Sequence, residues 1–256
     1  MFELALISQA FIQEQGNGKL RYEEQLVTEE LRQRGIPITF YTQKRIQRRQ
    51  LLLDEQSLVV GDMPCVLGAL KQLGIPEPLP NDYPNSMSNF MHRRIWTSTL
   101  LELEHGLRNG KYPPTFAKPA VRRKRFTGCV FESEYDLYQV YGVSRQEKLL
   151  CSEVVSWLSE YRVYVAHSEI RSIDHYDGNA NILLDLEKIR CAIKTLDNAG
   201  QSYAGYAIDF GVLDSGETAL VEMNDGFALG AYKINRKDYT DMILARWEEL
   251  LSQRVA

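Results

Sequence analysis

Over the first eighty residues the spacing of apolar positions changes several times, and each change marks an element. Leu4 to Ser8 is a short apolar run of the kind that forms a strand, and Tyr22 to Arg34 carries Leu26, Val27 and Leu31 at helical spacing before a stop at Gly35. Ile36 to Tyr41 gives a second strand, Ser57 to Gly61 a third, and Pro64 to Leu73 a helix ended by Gly74. Strand, helix, strand, strand, helix predicts a small α/β domain over residues 1–80 with a largely parallel sheet. Gly74 to Pro84, rich in Pro and Asn, is the expected linker to a second domain over 81–256.

Beyond the linker, Phe90, Ile95, Leu100, Leu103 and Leu107 predict one long helix from Ser88 to Leu107. The pattern then turns to strands. Thr115 to Lys118, Phe126 to Phe131, Leu137 to Tyr141 and Lys148 to Val155 are candidates, and Tyr161 to Ala166 alternates cleanly, with Arg171 in the strand after it. Leu183 to Ala199 reads as a helix, Tyr206 to Asn224 as a hairpin, and Tyr239 to Ser252 as a closing amphipathic helix. The fold class expected is therefore α/β with α+β character.

At 256 residues, 44% hydrophobic and 25% charged, the chain has the composition of a soluble globular protein. A net charge of -4 gives no overall attraction to nucleic acid or an anionic membrane, despite the basic stretches Lys44–Arg49 and Arg122–Arg125. Cys65, Cys129, Cys151 and Cys191 form no Cys-x-x-Cys pair and read as small buried residues of a reducing compartment. Glu3 and the lack of a basic start argue against a signal peptide, and no window is apolar enough to span a bilayer, so a cytoplasmic protein is expected. Gly16-Asn-Gly-Lys19 lacks the full spacing of a phosphate loop and reads as a surface loop.

The candidate chemistry is concentrated in the hairpin. With Ser215 and Gly216 as a two-residue loop, Asp209 stands directly opposite Glu222, and Asn224 shares their face. A three-residue loop with a Gly bulge would shift that opposition by one. Like charges facing across a ladder destabilise it by roughly 0.2–1 kcal/mol, and a bound cation removes the cost. Oxygen donors alone suit a hard ion such as Mg2+, whose other ligands are commonly water and substrate phosphates. Acidic residues on the wet face of an ordinary hairpin give the same pattern. Lys118, at the end of an apolar strand before Pro119 and a basic loop closed by Thr127-Gly128, is suited to hold phosphates, or else snorkels from a strand edge. Glu160 and Arg162 share one face of the alternating strand, where they meet either a substrate or each other's neighbours.

The order of these parts resembles the ATP-grasp superfamily, in particular small stand-alone members related to ribosomal-protein glutamate ligases and tubulin-tyrosine ligases. The matching motifs are Phe116-Ala-Lys-Pro119 with Phe126-Thr-Gly128, Cys151-Ser-Glu-Val-Val155, Glu160-Tyr-Arg162, Asp209, and Glu222-Met-Asn224. The resemblance implies an ATP-grasp fold, with a pre-grasp domain followed by a lid subdomain (86–151) and a C-terminal subdomain (152–256) that sandwich ATP. It implies that Lys118 touches the α- and β-phosphates, and that Lys124, Thr127 and Gly128 close over the β- and γ-phosphates. Backbone groups near Glu153 and Val154 would read adenine, and Glu160 would approach the ribose. Arg162 and Arg171 would face the transferred phosphoryl group or the carboxylate, and Asp209, Glu222 and Asn224 would hold Mg2+. No lysine occupies the position of the first phosphate lysine, so Arg93 or Arg94 stands in, with Arg94 the expected residue. The implied activity is ATP-dependent, ADP-forming ligation of a carboxylate to an amine through an acyl phosphate, on an amino acid, peptide or protein. Phosphotransfer without ligation and nucleic-acid binding without catalysis are the alternatives.

Overall fold

A computed structural model describes residues 7–121 and 125–253. Its first sheet is parallel, in the order β2-β1-β3, formed by β1 (Gln9–Gln13), β2 (Ile38–Tyr41) and β3 (Ser57–Val60). The central strand is not the predicted Leu4–Ser8: residues 4–6 lie outside the described residues, and Ile7 and Ser8 are not in strand. Ala10, Phe11 and Ile12 fill the middle position instead, since a central parallel strand must be apolar on both faces.

Helix α1 (Tyr22–Gln33) begins where the Glu24 carboxylate accepts from the backbone N–H of Arg21 at 3.2 Å and from its guanidinium, and it ends before Gly35, whose φ of 74° suits a residue without a side chain. Its stripe of Val27 and Leu31 is fully buried, and each such side chain contributes about 1.5–3 kcal/mol. After a short α2 (Gln43–Gln47), α3 (Met63–Leu73) starts at Asp62, which accepts from the Cys65 N–H at 3.1 Å, and stops at Gly74.

The expected helix from Ser88 to Leu107 divides in three: a 3-10 segment Asn85–Phe90, strand β4 (Ile95–Thr99) and helix α4 (Leu100–Arg108). Thr99 and Glu102 form a capping box that sets the helix start, while Trp96, Thr97 and Thr99 favour the extended chain before it. β4 belongs to an antiparallel sheet ordered β4-β7-β5-β6, with β5 (Thr115–Pro119), β6 (Cys129–Phe131) and β7 (Lys148–Glu153). Leu137 to Tyr141 is not a strand. It falls in a 3-10 segment, Glu134–Val140, whose start is fixed by Ser133 and Asp136 bonding each other's backbone N–H groups.

The third sheet, β11-β10-β8-β9, is antiparallel and built from β8 (Trp157–Ala166), β9 (Glu169–Gly178), β10 (Gly205–Leu213) and β11 (Thr218–Asp225). One of its faces, with Val163, Ile208 and Phe210, is covered by helix α5 (Leu186–Asn198) through Ile189, Ile193 and Leu196. The other face is divided. Tyr164, Ala166 and Ala207 pack under α6 (Arg236–Leu251), and that core runs on into the first sheet, where Trp247 Nε1 donates to the Ser57 carbonyl at 2.8 Å. The rest of the face carries the polar residues that look toward the second sheet. Among the described residues no helix is long and apolar enough to cross a membrane.

Candidate functional site

The hairpin sets the geometry through two offsets that cancel. Its loop has three residues, Asp214, Ser215 and Gly216, not two: Leu213 N–H donates to the Glu217 carbonyl at 2.9 Å, and Gly216 takes the left-handed conformation at φ 85°. That loop alone would shift the ladder by one residue. A bulge between Asp209/Glu222 and Phe210/Leu220, with Val221 as the extra residue, shifts it back. Asp209 therefore stands opposite Glu222, and on its other side opposite Arg162 of β8.

Arg93 holds the bulge. Its guanidinium donates to the Leu220 carbonyl at 2.5 Å and the Val221 carbonyl at 2.8 Å, with the rings of Tyr83 and Trp157 beside it. Burial lowers its pKa, with Tyr83 and Glu222 opposing. Arg94 is exposed, lies over Trp96 at 4.6 Å and is 3.6 Å from Glu153. Neither arginine contacts Lys118.

The carboxylates are matched with cations. Arg162 grips Asp209 in a fork of 2.8 and 2.7 Å, and Asn224 Nδ2 donates to Asp209 Oδ2 at 3.1 Å. Burial pushes the Asp209 carboxyl up, opposed by the Arg162 fork and reinforced by the charge of Glu222. Lys118, entering from β5 on the facing sheet, places Nζ 2.6 Å from Glu222 Oε2 and 2.6 Å from Asp82 Oδ2. Burial acts to lower the lysine's pKa, but Glu222, Tyr83 and Asp82 outweigh it and the net shift is upward. Burial likewise acts to raise the Glu222 carboxyl, yet Lys118 brings it below its ordinary value. A cavity of ≈ 200 Å³ lies against this cluster, walled by Asp82, Lys118, Phe126, Gly128, Glu222 and Asn224. A side chain on Gly128 would come within 2.6 Å of Phe116 and 3.1 Å of Lys118 Cβ, so the close seat of this loop on β5 requires glycine.

Glu160 lies on the Arg162 face and accepts from Tyr176 OH at 2.8 Å, and burial raises its pKa. Tyr176 stacks on Tyr232, whose ring is 5.0 Å from the Arg162 guanidinium. Asp174, opposite Arg162 on β9, accepts from the N–H groups of Lys233 and Ile234 at 2.6 and 2.7 Å and so fixes the loop after β11 over the sheet. Glu153 ends β7, and Val154 is exposed in the connection to β8.

The structure thus gathers Lys118, Gly128, Arg162, Asp209, Glu222 and Asn224, with Glu160 beside them. Arg171 stands apart near the β8–β9 turn, 3.2 Å from Glu169 and bonded to the Ala166 carbonyl. Lys124 lies outside the described residues, and Thr127 sits in the loop before Gly128. Sequence reasoning missed Asp82, Asp174 and Tyr176. Asp174 alternates in step with Ser172 and Tyr176 along β9, which was the available signal; Asp82 sits in an irregular linker and gave none. Burial pushes the thiols of Cys65 and Cys151 up to about 12, which keeps both protonated, as expected of core cysteines; Cys129 is only half-buried and Cys191, on α5, is exposed, against that expectation.

The donor types suit a hard cation, since two opposed carboxylates and an amide oxygen lie together with no sulfur or imidazole among them, and a cation there would compete with the Arg162 fork on Asp209 and with Lys118 on Glu222. Among the described residues no group of three His, Cys, Asp or Glu side chains stands ready to hold a metal, so the remaining positions would fall to phosphate oxygens and water.

Two antiparallel sheets that close a lysine and a carboxylate hairpin between them define the ATP-grasp class. The model of the family described as ATP-grasp domain, R-2-K clade family 2, matches residues 90–242, and the chain belongs to this family. A search of curated protein sequences returned no match. Among solved structures the chain is similar to D-alanine–D-alanine ligase from Bacillus anthracis complexed with ATP, at 14% identity over 97% of this chain and 100% of that one, with a TM-score of 0.60. A RimK domain protein from Sphaerobacter thermophilus aligns at 14% identity over 92% of this chain and 98% of that one, TM-score 0.55. The macrocyclase MdnC from Microcystis aeruginosa, bound with precursor peptide MdnA, aligns at 11% identity over 93% and 99%, TM-score 0.51. At these identities the likeness concerns the fold.

Proposed function

We propose that the protein is an ATP-dependent ligase that joins a carboxylate to an amine with release of ADP and phosphate. The observation that carries this reading is the contact of Lys118 with Glu222 across the two facing sheets, beside Asp209, Asn224 and a cavity. A lysine ammonium on one sheet and a carboxylate ladder on the other are what a polyphosphate and its counter-ion require. The ATP complex of the D-alanine–D-alanine ligase and the peptide complex of MdnC are in accord with a ligase of this fold.

In this reading Lys118 holds the α- and β-phosphates, and the loop through Lys124, Thr127 and Gly128 covers the β- and γ-phosphates. Backbone groups at Glu153 and Val154 receive the adenine and Glu160 approaches the ribose. Arg94, exposed beside Glu153 and over Trp96, stands in for the first phosphate lysine, and Arg93 acts by fixing the bulge that aligns Asp209 with Glu222. Asp209, Glu222 and Asn224 would hold Mg2+, which supplies charge neutralisation on the transferred phosphoryl group. A carboxylate oxygen of the substrate attacks the γ-phosphorus and ADP leaves; the amine then attacks the acyl carbon, phosphate leaves, and the amine gives up a proton. Arg162 stabilises the charge that develops on the transferred group, a preorganised contact of the kind worth about 3–4 kcal/mol.

Calorimetry with ATP in the presence and absence of magnesium checks the site. Lys118→Ala is expected to weaken nucleotide binding by tenfold or more, and Glu222→Ala to abolish its metal dependence. Equal, metal-independent affinities in wild type and Glu222→Ala would sink the assignment. Mass spectrometry of products from ATP with mixed amino acids and peptides separates the chemistries, because ADP release without any amine acceptor identifies phosphotransfer instead of ligation.

A further inference from the structure

Asp82 is held at the mouth of this site by the chain itself. Its carbonyl accepts from the Met223 N–H at 2.8 Å, which ties the linker to β11 at the residue after Glu222. Its carboxylate reaches Lys118 Nζ at 2.6 Å, and the next residue, Tyr83, lays its ring 4.6 Å from the same ammonium. An ammonium has three N–H donors, and here two are turned to Asp82 and Glu222 while an aromatic face covers the group, leaving its side chain 12% exposed. Lys118 and Arg93 are set against the carboxylates of Asp82, Glu222 and Glu160, which leaves one excess negative charge, and the neighbouring Arg162–Asp209 fork is neutral.

We propose that Asp82 is an intramolecular occupant of the phosphate subsite, and that it makes the protein select nucleotide accompanied by a divalent cation over free nucleotide. The inference rests on the reading of Lys118 as a phosphate-binding lysine. A bare polyphosphate approaching Lys118 must displace Asp82 and also face Glu222, so it meets net negative charge. A polyphosphate carrying a cation gives Glu222 a new partner, which releases one Lys118 donor without displacing Asp82. The linker carboxylate therefore penalises the metal-free ligand more than the metal-bound one. Asp82 is a specificity-determining residue in this account, not a ligand of the cation.

The test is the affinity of ADP in excess EDTA and in excess magnesium, measured by calorimetry on the full chain for wild type, Asp82→Asn and Lys118→Ala. Asp82→Asn is expected to tighten metal-free ADP about tenfold and to change magnesium-ADP by threefold or less, so that the ratio between them contracts. A ratio unchanged from wild type overturns the role of Asp82 while a loss of binding in Lys118→Ala leaves the functional reading standing. Loss of magnesium-ADP affinity in Asp82→Asn makes the residue a cation ligand and equally overturns the proposal. No ADP binding by wild type in either condition removes the functional reading and this inference together. Asp82→Ala retains the main-chain bond to Met223 and carries the same expectations should the amide variant fail to fold.

Discussion

Arg162 and Arg246 each hold an aspartate of the same hairpin in a fork of 2.8 and 2.7 Å, Arg162 on Asp209 and Arg246 on Asp225. Both pairs are shielded from solvent, and both aspartates sit within or at the end of a core strand. Their surroundings differ. Arg246 spends its remaining contacts on Glu249 at 2.7 Å and on the ring of Tyr203 at 4.0 Å, and Asp225 also accepts from the Phe227 N–H. Every partner there belongs to the packing of α6 against the sheet. Arg162 and Asp209 instead stand beside Glu222 and Glu160, and Glu222 reaches on to Lys118 and the cavity. The fork is the same device in both places; the excess of nearby carboxylate and the open side distinguish a site from a structural bond.

Arg246→Ala should show the largest effect, because it leaves the Asp225 carboxylate buried with no cation and only the Phe227 N–H as a donor, a loss of about 3–5 kcal/mol. Denaturant unfolding measures it, and nucleotide affinity in the fraction that remains folded should be unchanged. A loss below about 1 kcal/mol would show that Asp225 finds water or another donor, and the contrast between the forks would fail.

Arg162→Ala should reverse the balance. Turnover is expected to fall about 100- to 1000-fold, while stability drops by about 1–3 kcal/mol, since Asp209 keeps Asn224 as a donor. Steady-state kinetics and thermal unfolding of the same preparation separate the two. Full activity with a large stability loss would make this fork structural like the other.

That contrast also shows what can be read from the sequence. The alternation of Tyr206 to Asn224 located Asp209, Glu222 and Asn224, and the strand before Pro119 located Lys118. The opposition of Asp209 to Glu222 was obtained from a two-residue loop that the chain does not have, and it holds because the bulge at Val221 compensates. A bulge held by an arginine from a distant loop is tertiary information, absent from any local pattern. The long helix from Ser88 failed differently: Ile95 fits helical spacing with Leu103, but Thr99-Leu-Leu-Glu102 is a helix start, and a start inside a proposed helix divides it. Asp82 lies where neither period nor motif applies, and its partner is brought to it only by closing the second sheet over the third.

The smallest effect expected concerns the sign of pH dependence within the site. Glu222 is held below its ordinary value by Lys118, so its contribution to stability is present in full above the unfolded carboxyl value of about 4.3 and is lost as pH falls through the lower folded value. Asp209 and Glu160, raised by burial, act with the opposite sign: stability is greatest while they are protonated and declines as pH rises through their folded values. Glu222→Gln removes the first contribution and, by taking away the Glu222 charge, also lessens the upward shift of Asp209 and Glu160. Its acid limb in pH-dependent thermal unfolding should be shallower than that of wild type below about pH 4.3, by roughly 1 kcal/mol or less, and the decline above that should lessen as well. An acid limb as steep as that of wild type would mean that Lys118 draws its compensation from Asp82 alone, and that the lysine is tied to the linker more firmly than to the hairpin.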